Sequence, residues 1–362
     1  MIIAFFNTIK TWGGGEKWHF EAASHFAQLG YTVYFFGNKE SELAAKIALV
    51  PKIHFIDFPL TNLSFLNPLT TQKLRKIFYK LQVETLIINH PGDLKVAAKA
   101  ANYAGVKRVI YRRGSAIPIK DSWLNRRIFS KYVTAILANS QATKDTITAK
   151  NKHLFPKDKI SVIYNPIAIE EFLSRPAQAV YHAQEGEIVL GNLGRLASEK
   201  NQKFLIDLSA ALKAKGIKHR ILIGGTGKLL PMLREYAQAR GCQDEVIFLG
   251  FIGNVKDLLA SIDIFILCSL WEGFGYVLAE ASLAKKPVIA FNNSSIPEIV
   301  IHEKTGLLIP ENNVEDAVDA VEKFRNNPTL AAEYGNNGFT YAQEKFNKTK
   351  IYAELTAYLL KA

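Results

Sequence analysis

Two glutamates eight positions apart, Glu272 and Glu280, flank the tight run Gly273-Phe274-Gly275. Before them, Ile-Phe-Ile-Leu-Cys-Ser-Leu at 264–270 is an apolar stretch without alternation, which predicts a buried parallel strand. After them, residues 276–284 carry Val277, Leu278, Ala281 and Leu283 at helical spacing. Strand, glycine turn and helix in that order set backbone N–H groups at the carboxyl edge of a sheet, where α/β folds bind anions. Glu272 is then expected in the crevice loop and Glu280 roughly two turns into the helix. One carboxylate can accept hydrogen bonds from a sugar and the other from a ribose, with phosphates between. A plain βα turn with two solvated glutamates uses the same residues.

Other strand ends add chemistry that suits a diphosphate. Gly194-Arg195-Leu196-Ala197-Ser198-Glu199-Lys200-Asn201 follows one strand and opens a helix. The glycine permits close backbone approach, Arg195 offers a forked donor and Lys200 a point charge. Gly224-Gly225-Thr226-Gly227 also lies between a strand and a helix, as a phosphate-binding turn or simply a tight one. Phe251 and Ile252, just past Val246–Gly250, could wall a planar base or belong to the core.

Positioning these residues takes two α/β domains, the default for 362 residues. Strands are expected at 2–6, 31–36, 53–56, 85–89, 107–111 and 134–138, with helices at 16–29, 39–47, 70–82, 93–104, 122–131 and 141–150. This alternation predicts a doubly wound, mostly parallel sheet. It loosens at 174–186 and resumes with strands at 188–193, 219–223, 245–249, 263–268 and 287–290. Intervening helices are expected at 201–214, 228–239, 255–260, 276–284 and 315–326, and closing helices at 329–336 and 341–361. Domains are thus expected at 1–168 and 169–340, with 341–362 packing back on the first.

Composition narrows the function classes. The two cysteines, Cys242 and Cys268, have no metal-ligand spacing, and a reducing, cytoplasmic setting fits them. The apolar start Met1–Phe6 is too short for a membrane span. Residues 1–170 hold 24 Lys and Arg against 11 Asp and Glu, so the whole excess of positive charge lies there. That asymmetry suits a polyanion or an anionic membrane surface.

The ordered set Gly-Arg…Glu-Lys-Asn, Gly-Gly-Thr-Gly, Phe-Leu-Gly-Phe, Glu-Gly-Phe-Gly…Glu, Pro-Glu-Ile-Val and Gly-Leu-Leu-Ile-Pro resembles the retaining, nucleotide-sugar-dependent glycosyltransferases of family 4. The likeness runs strongly from about 188 to 340 and more weakly through Gly13-Gly14-Gly15-Glu16 and Ala138-Asn139-Ser140. It implies the GT-B fold, two Rossmann-like domains facing across a cleft, the first for acceptor and the second for nucleotide sugar. Arg195 and Lys200 would hold the donor diphosphate and stabilise the departing nucleotide. Glu280 would accept from ribose hydroxyls and Glu272 from the transferred sugar. The Gly273-Phe274-Gly275 backbone would line sugar and phosphate. The glutamates would be positioning groups rather than an acid and a base.

In the first half, the glycines before the first helix, Gly14 and Gly15 among them, let a loop approach a ligand and expose helix-start N–H groups. The resemblance places this loop near donor diphosphate and acceptor. His90 ends a strand and could bond the acceptor or serve structure. Many members of the resembling family carry a histidine and then an acid near positions 112–113, where this chain has Arg112 and Arg113. An arginine pair suits an acceptor bearing phosphate or carboxylate, and solvated arginines are the alternative. Basic and aromatic residues also cluster at 73–80 and 120–132, where helices could rest on an anionic leaflet or cover their aromatic faces.

The expectation is a transferase moving sugar from a UDP- or GDP-sugar to a glycan or lipid-linked acceptor, in lipopolysaccharide, capsule or other envelope synthesis. No metal or cofactor is expected, because no Asp-X-Asp motif ends a strand and Arg195 and Lys200 supply the positive charge. The location is cytoplasmic, peripheral to the membrane. A nucleotide-sugar epimerase, which would consume its substrate without acceptor, is the alternative enzyme. A basic nucleic-acid-binding protein is the other alternative, though no recognisable nucleic-acid module supports it.

Overall fold

An apolar run without alternation suits a strand covered on both faces. The first such run, Ile2–Asn7 (β1), lies inside a seven-stranded parallel sheet, paired with β2 (Thr32–Gly37) and β4 (Thr85–Ile88). The computed structural model describes residues 1–61 and 63–361. The chain divides into two compact units, one of Met1–Asn165 with Tyr352–Ala362 and one of Pro166–Ile351. Among the described residues no helix is long and apolar enough to cross a membrane.

Unit 1 adds β3 (Ile53–Asp57), β5 (Arg108–Arg113), β6 (Ala135–Ala138) and β7 (Ile160–Val162) to that sheet. Its helices are α1 (Gly14–Gln28), α2 (Glu42–Ile47), α3 (Pro68–Lys80), α4 (Pro91–Tyr103), α5 (Trp123–Lys131) and α6 (Gln141–Ile147). The strand order β3-β2-β1-β4-β5-β6-β7 reverses between β1 and β4, which makes the crevice outside those two strand ends a topological switch point. Stacked rings of Phe5 on Phe35 and Phe6 on Phe36 tie β1 to β2 on both faces.

Unit 2 begins with α7 (Ile169–Ser174) and continues through β8 (Ile188–Leu193), α8 (Lys203–Ala214), β9 (His219–Gly224), α9 (Leu230–Ala239) and β10 (Val246–Gly250). Then come α10 (Val255–Ala260), β11 (Ile264–Leu267), α11 (Tyr276–Leu283), β12 (Val288–Phe291), β13 (Gly306–Ile309), α12 (Val314–Asn326) and α13 (Pro328–Phe346). Its six parallel strands run β10-β9-β8-β11-β12-β13, with the switch point between β8 and β11. The two sheets are the doubly wound pair that the alternation predicts.

The short elements β7, α7 and β13 escape the periodicity reading, because three to six residues carry too little pattern. The closing helices differ in a more instructive way. The break expected after 336 falls instead at Asn347, between α13 and α14 (Lys348–Leu360). Gly335 within α13 is a contact point: a Cβ there would lie 2.1 Å from the Lys285 carbonyl oxygen. It lets α13 lie close against the end of α11. Asn347 caps the start of α14 by accepting at its side chain from the backbone of Thr349 and Lys350, while Ile167 pairs with the flanking backbone.

Residues Tyr352–Leu360 of α14 complete unit 1. Tyr352 stacks on His25 at 4.4 Å, and Leu355 and Leu359 are buried. Arg108 donates to the carbonyls of Tyr358, Leu359 and Lys361, satisfying oxygens that a helix end leaves open.

One buried group makes unit 1 sensitive to acid. His19 of α1 lies among Phe5, Trp18 and Phe35, with both ring nitrogens buried and without a hydrogen-bond partner among the described residues. Burial first, and the nearby Arg112 cation second, hold its pKa well below the ordinary 6.5. The unfolded chain takes up this proton below about pH 6.5 and the fold refuses it, so stability falls with pH there by about 1.4 kcal/mol per unit. Urea denaturation from about pH 7 to pH 5 should show that slope, and His19→Leu should remove it, leaving the contribution of His219, whose pKa burial also lowers.

Candidate active site

Three βα loops meet at the switch point of unit 2. The loops after β8 and β9 touch backbone to backbone. A Cβ at Gly225 would lie 1.9 Å from the Gly194 carbonyl oxygen, and one at Gly227 would lie 2.1 Å from that of Leu196. The positive φ of Gly225 (+124°) adds a second reason for glycine. Leu196 N donates to Thr226 O at 2.9 Å and locks the pair of loops together.

The loops after β8 and β11 are joined by charge. Lys200 Nζ donates to Glu272 Oε1 at 2.5 Å, and Ser269 Oγ donates to the same oxygen at 2.8 Å. Glu272 is buried apart from a narrow exposed edge, and its Oε2 has no partner among the described residues. Its backbone is fixed as well: the amide donates to Ser294 Oγ and the carbonyl accepts from Ser295 Oγ. Cys268, at the end of β11, donates Sγ–H to the carbonyls of Lys200 and Asn201 at 3.3 Å each. Burial pushes that thiol up to about 12, so it stays protonated and able to donate. The helix expected to open at Asn201 begins at Lys203 instead. Residues Ser198–Lys200 form a single 3₁₀ turn, ended by Asn201 in the left-handed region.

Arg195 is mostly exposed and pairs with Glu199 Oε1 at 2.5 Å, while Gln202 Nε2 holds its carbonyl. Burial works against the Glu199 charge, but its own backbone N–H and Arg195 hold the carboxyl below its usual range. Glu280 is the fifth residue of α11, about one turn from its start and not two, because the helix begins at Tyr276. Gly275 caps that helix at φ +86° and Gly273 is buried beside it, whereas the Phe274 ring is core, edge-on to Phe346 and Tyr276. Only the backbone of this run is offered to a ligand. Phe251 is 81% exposed past β10, and half-buried Ile252 fills the space beside Gly224.

Unit 1 has its own polar cluster at the β1/β4 switch point. Gly14 and Gly15 open α1, and a Cβ at Gly15 would lie 2.5 Å from Asn89 Nδ2. Asn7 donates to Glu16, and Thr8 donates through both N and Oγ1 to Asp93 at the start of α4. His90 is the N-cap of α4, its Nδ1 accepting from Gly92 N at 3.2 Å. The two arginines divide. Arg112 is 3% exposed, lies 4.8 Å over the Trp18 ring and donates to Asn89 and Asn165. Arg113 is half-buried, donates to Tyr111 Oη and the Ile117 carbonyl, and lines a cavity.

Sequence reasoning brings out Lys200 and Glu272 but not the groups that fix them. The hydroxyls of Ser269, Ser294 and Ser295 and the Cys268 thiol look like ordinary loop and strand residues. The one available signal is the polar run Asn292–Ser295 directly after an apolar strand.

Residues 12–171 match the family described as Glycosyltransferase Family 4, and residues 175–341 match Glycosyl transferases group 1. This chain belongs to these GT-B glycosyltransferases and is an enzyme of that class. Among curated relatives, the putative glycosyltransferase EpsF of Bacillus subtilis is 28% identical over 53% of this chain and 53% of its own, so the match spans about half its length. The N-acetylgalactosamine-N,N'-diacetylbacillosaminyl-diphospho-undecaprenol 4-alpha-N-acetylgalactosaminyltransferase of Campylobacter jejuni is 26% identical over 85% of this chain and 86% of its own. Among solved structures, Anabaena Alr3699/HepE in complex with UDP and glucose has TM-score 0.82 at 20% identity, with all of each chain covered, a likeness in fold.

The Lys200–Glu272 pair is shielded enough that removing one partner should cost more than removing both. Lys200→Met strands a buried carboxylate and should destabilise by about 3 kcal/mol, with Lys200→Met/Glu272→Gln recovering part of the loss. Urea titration of the four proteins in this cycle measures the coupling, and additive effects would show that the pair contributes nothing to stability.

Proposed function

We propose that the enzyme transfers a sugar, with retention of anomeric configuration, from a nucleotide diphosphate sugar to an acceptor hydroxyl in the synthesis of an envelope glycan such as lipopolysaccharide or capsule. The observation that carries this reading is the Lys200–Glu272 contact at the β8/β11 switch point, with the α11 helix start and Glu280 following in the same segment. A cation held beside a carboxylate with one free oxygen suits a diphosphate next to a sugar.

In this reading Lys200 and Arg195 bind the diphosphate and stabilise charge as the nucleotide departs. Arg195, with its exposed guanidinium, is free to exchange its Glu199 contact for phosphate. Gly194, Gly225, Gly273 and Gly275 let backbone N–H groups approach the donor, and the α11 helix start favours negative charge. Glu272 Oε2 accepts from sugar hydroxyls, Glu280 from the ribose, and Phe251 with Ile252 supports the base. Gly14 and Gly15 offer the start of α1 to phosphate, and His90 and Arg113 bind acceptor. Arg112 holds Asn89 and Asn165 in place beneath them. The charge on the leaving diphosphate is assigned to Arg195 and Lys200, without a metal or other cofactor.

Retention rests on the motif set shared with the retaining family. HepE, a neighbour in fold over the whole chain, is in complex with UDP, which supports a uridine nucleotide as the donor. An envelope role follows the Campylobacter relative, whose name specifies a diphospho-undecaprenol acceptor. The basic balance of residues 1–170 supports a peripheral position on the inner face of the cytoplasmic membrane rather than a nucleic-acid partner.

Thermal-shift titration with UDP-, GDP-, ADP- and CMP-sugars should single out one nucleotide, stabilising by about 2.7 kcal/mol at a hundredfold excess over Kd. No shift with any of them would overturn the proposal. Sugar nucleotide altered at equal rate with and without acceptor would point to the epimerase instead. Glu280→Ala and Arg195→Ala should each lower kcat/KM by about a hundredfold or more while the protein melts as the wild type does. Wild-type turnover in both would sink the site assignment.

A further inference from the structure

The cavity beside Arg113 has a composition that general acceptor binding leaves unexplained. It encloses about 350 Å³ between β5 and the first turns of α4 and α5. Arg113, Lys95 and Lys120 line it and no aspartate or glutamate does. Asp121, next to Lys120 in the chain, is held by Arg126 and Asn151. The Arg113 guanidinium is fixed by Tyr111 Oη and the Ile117 carbonyl. Three cations lining one cavity with no carboxylate among them make a place for oxygen atoms that carry negative charge. Two helix starts add positive potential on the same side.

The remaining walls are apolar, with Leu94, Ile119 and Phe129 among them. Apolar groups also stay uncovered around it. Trp123 at the start of α5 is 71% exposed, and Ile117, beside the cavity residue Pro118, is exposed as well. On the α4 side, Lys95 lies 4.9 Å over the Phe65 ring of the turn Ser64–Leu66, in which Leu66 is 66% exposed. Cations inside with uncovered hydrocarbon around them match a ligand that is anionic at one point and apolar beyond it.

We propose that this cavity is a subsite for a phosphate or diphosphate ester carried on a long apolar chain. Arg113, Lys95 and Lys120 take the phosphate oxygens, and Ile119, Phe129 and the exposed rim take the first carbons of the chain. This rests on the transferase reading and specifies its acceptor as lipid-linked through phosphate.

Farnesyl diphosphate, inorganic pyrophosphate and phosphatidylglycerol vesicles are the probes, each titrated into the full chain with and without UDP. Farnesyl diphosphate should bind more tightly than pyrophosphate, and excess UDP should leave it bound. Lys95→Gln/Lys120→Gln, two substitutions at the surface, should weaken it by about tenfold to a hundredfold. Equal affinity for pyrophosphate, displacement by UDP, or unchanged binding in the double variant would each overturn the proposal. So would loss of vesicle binding with farnesyl diphosphate affinity retained, which would assign the lysines to a membrane surface. A nucleotide-sugar shift that persists while farnesyl diphosphate fails to bind would leave the transferase reading standing.

Discussion

The Lys200–Glu272 ion pair joins the two strands between which the second sheet reverses its order. A carboxylate this buried is costly unless its partners are in place. The loops are built to keep those partners there. Ser269 shares the paired oxygen, Ser294 and Ser295 clamp the Glu272 peptide, and Cys268 holds the carbonyls on either side of the Lys200–Asn201 bond. Charge therefore aligns the very atoms that a sugar diphosphate would meet, before any ligand arrives. Pre-organisation of this kind removes a reorganisation cost from the reaction itself.

The first sheet solves a similar problem with other means. At its switch point Asn7, Thr8, Glu16 and Asp93 form a buried network that joins the end of β1 to the helices that follow it and β4. Burial raises the Asp93 carboxyl, while the Thr8 hydroxyl and amide and the nearby His90 pull it back. Arg112 is covered by Trp18 and shared between the side chains of Asn89 and Asn165. A Cβ at Gly114 would lie 2.4 Å from Arg112 Nη1, so the guanidinium packs against that glycine.

Much of this was legible from residue order. Apolar runs without alternation marked nearly all of the parallel strands, and glycine-rich strand ends marked the loops that carry Lys200, Glu272 and Gly275. What stayed hidden depends on contacts distant in sequence. Arg112 and Arg113 are adjacent and identical in type, yet alternation along β5 sends one beneath Trp18 and the other to a cavity. The fit of Gly335 is hidden because the partner that needs its smallness, the Lys285 backbone, lies fifty residues earlier. Short elements such as β7 and β13 are fixed by pairing to a neighbour already formed, and three or four residues alone do not reveal that.

Helix α14 ties the first unit to residues made much later in translation. Tyr352 on His25 and Arg108 on the carbonyls of Tyr358 and Leu359 are contacts that unit 1 gains only after about 190 further residues have been made. At a synthesis rate of about 5–20 residues per second, α1 and β5 wait roughly ten seconds or more with those surfaces open. A nascent first unit is therefore a waiting intermediate, and a fragment ending at Asn165 would hold it permanently in that state.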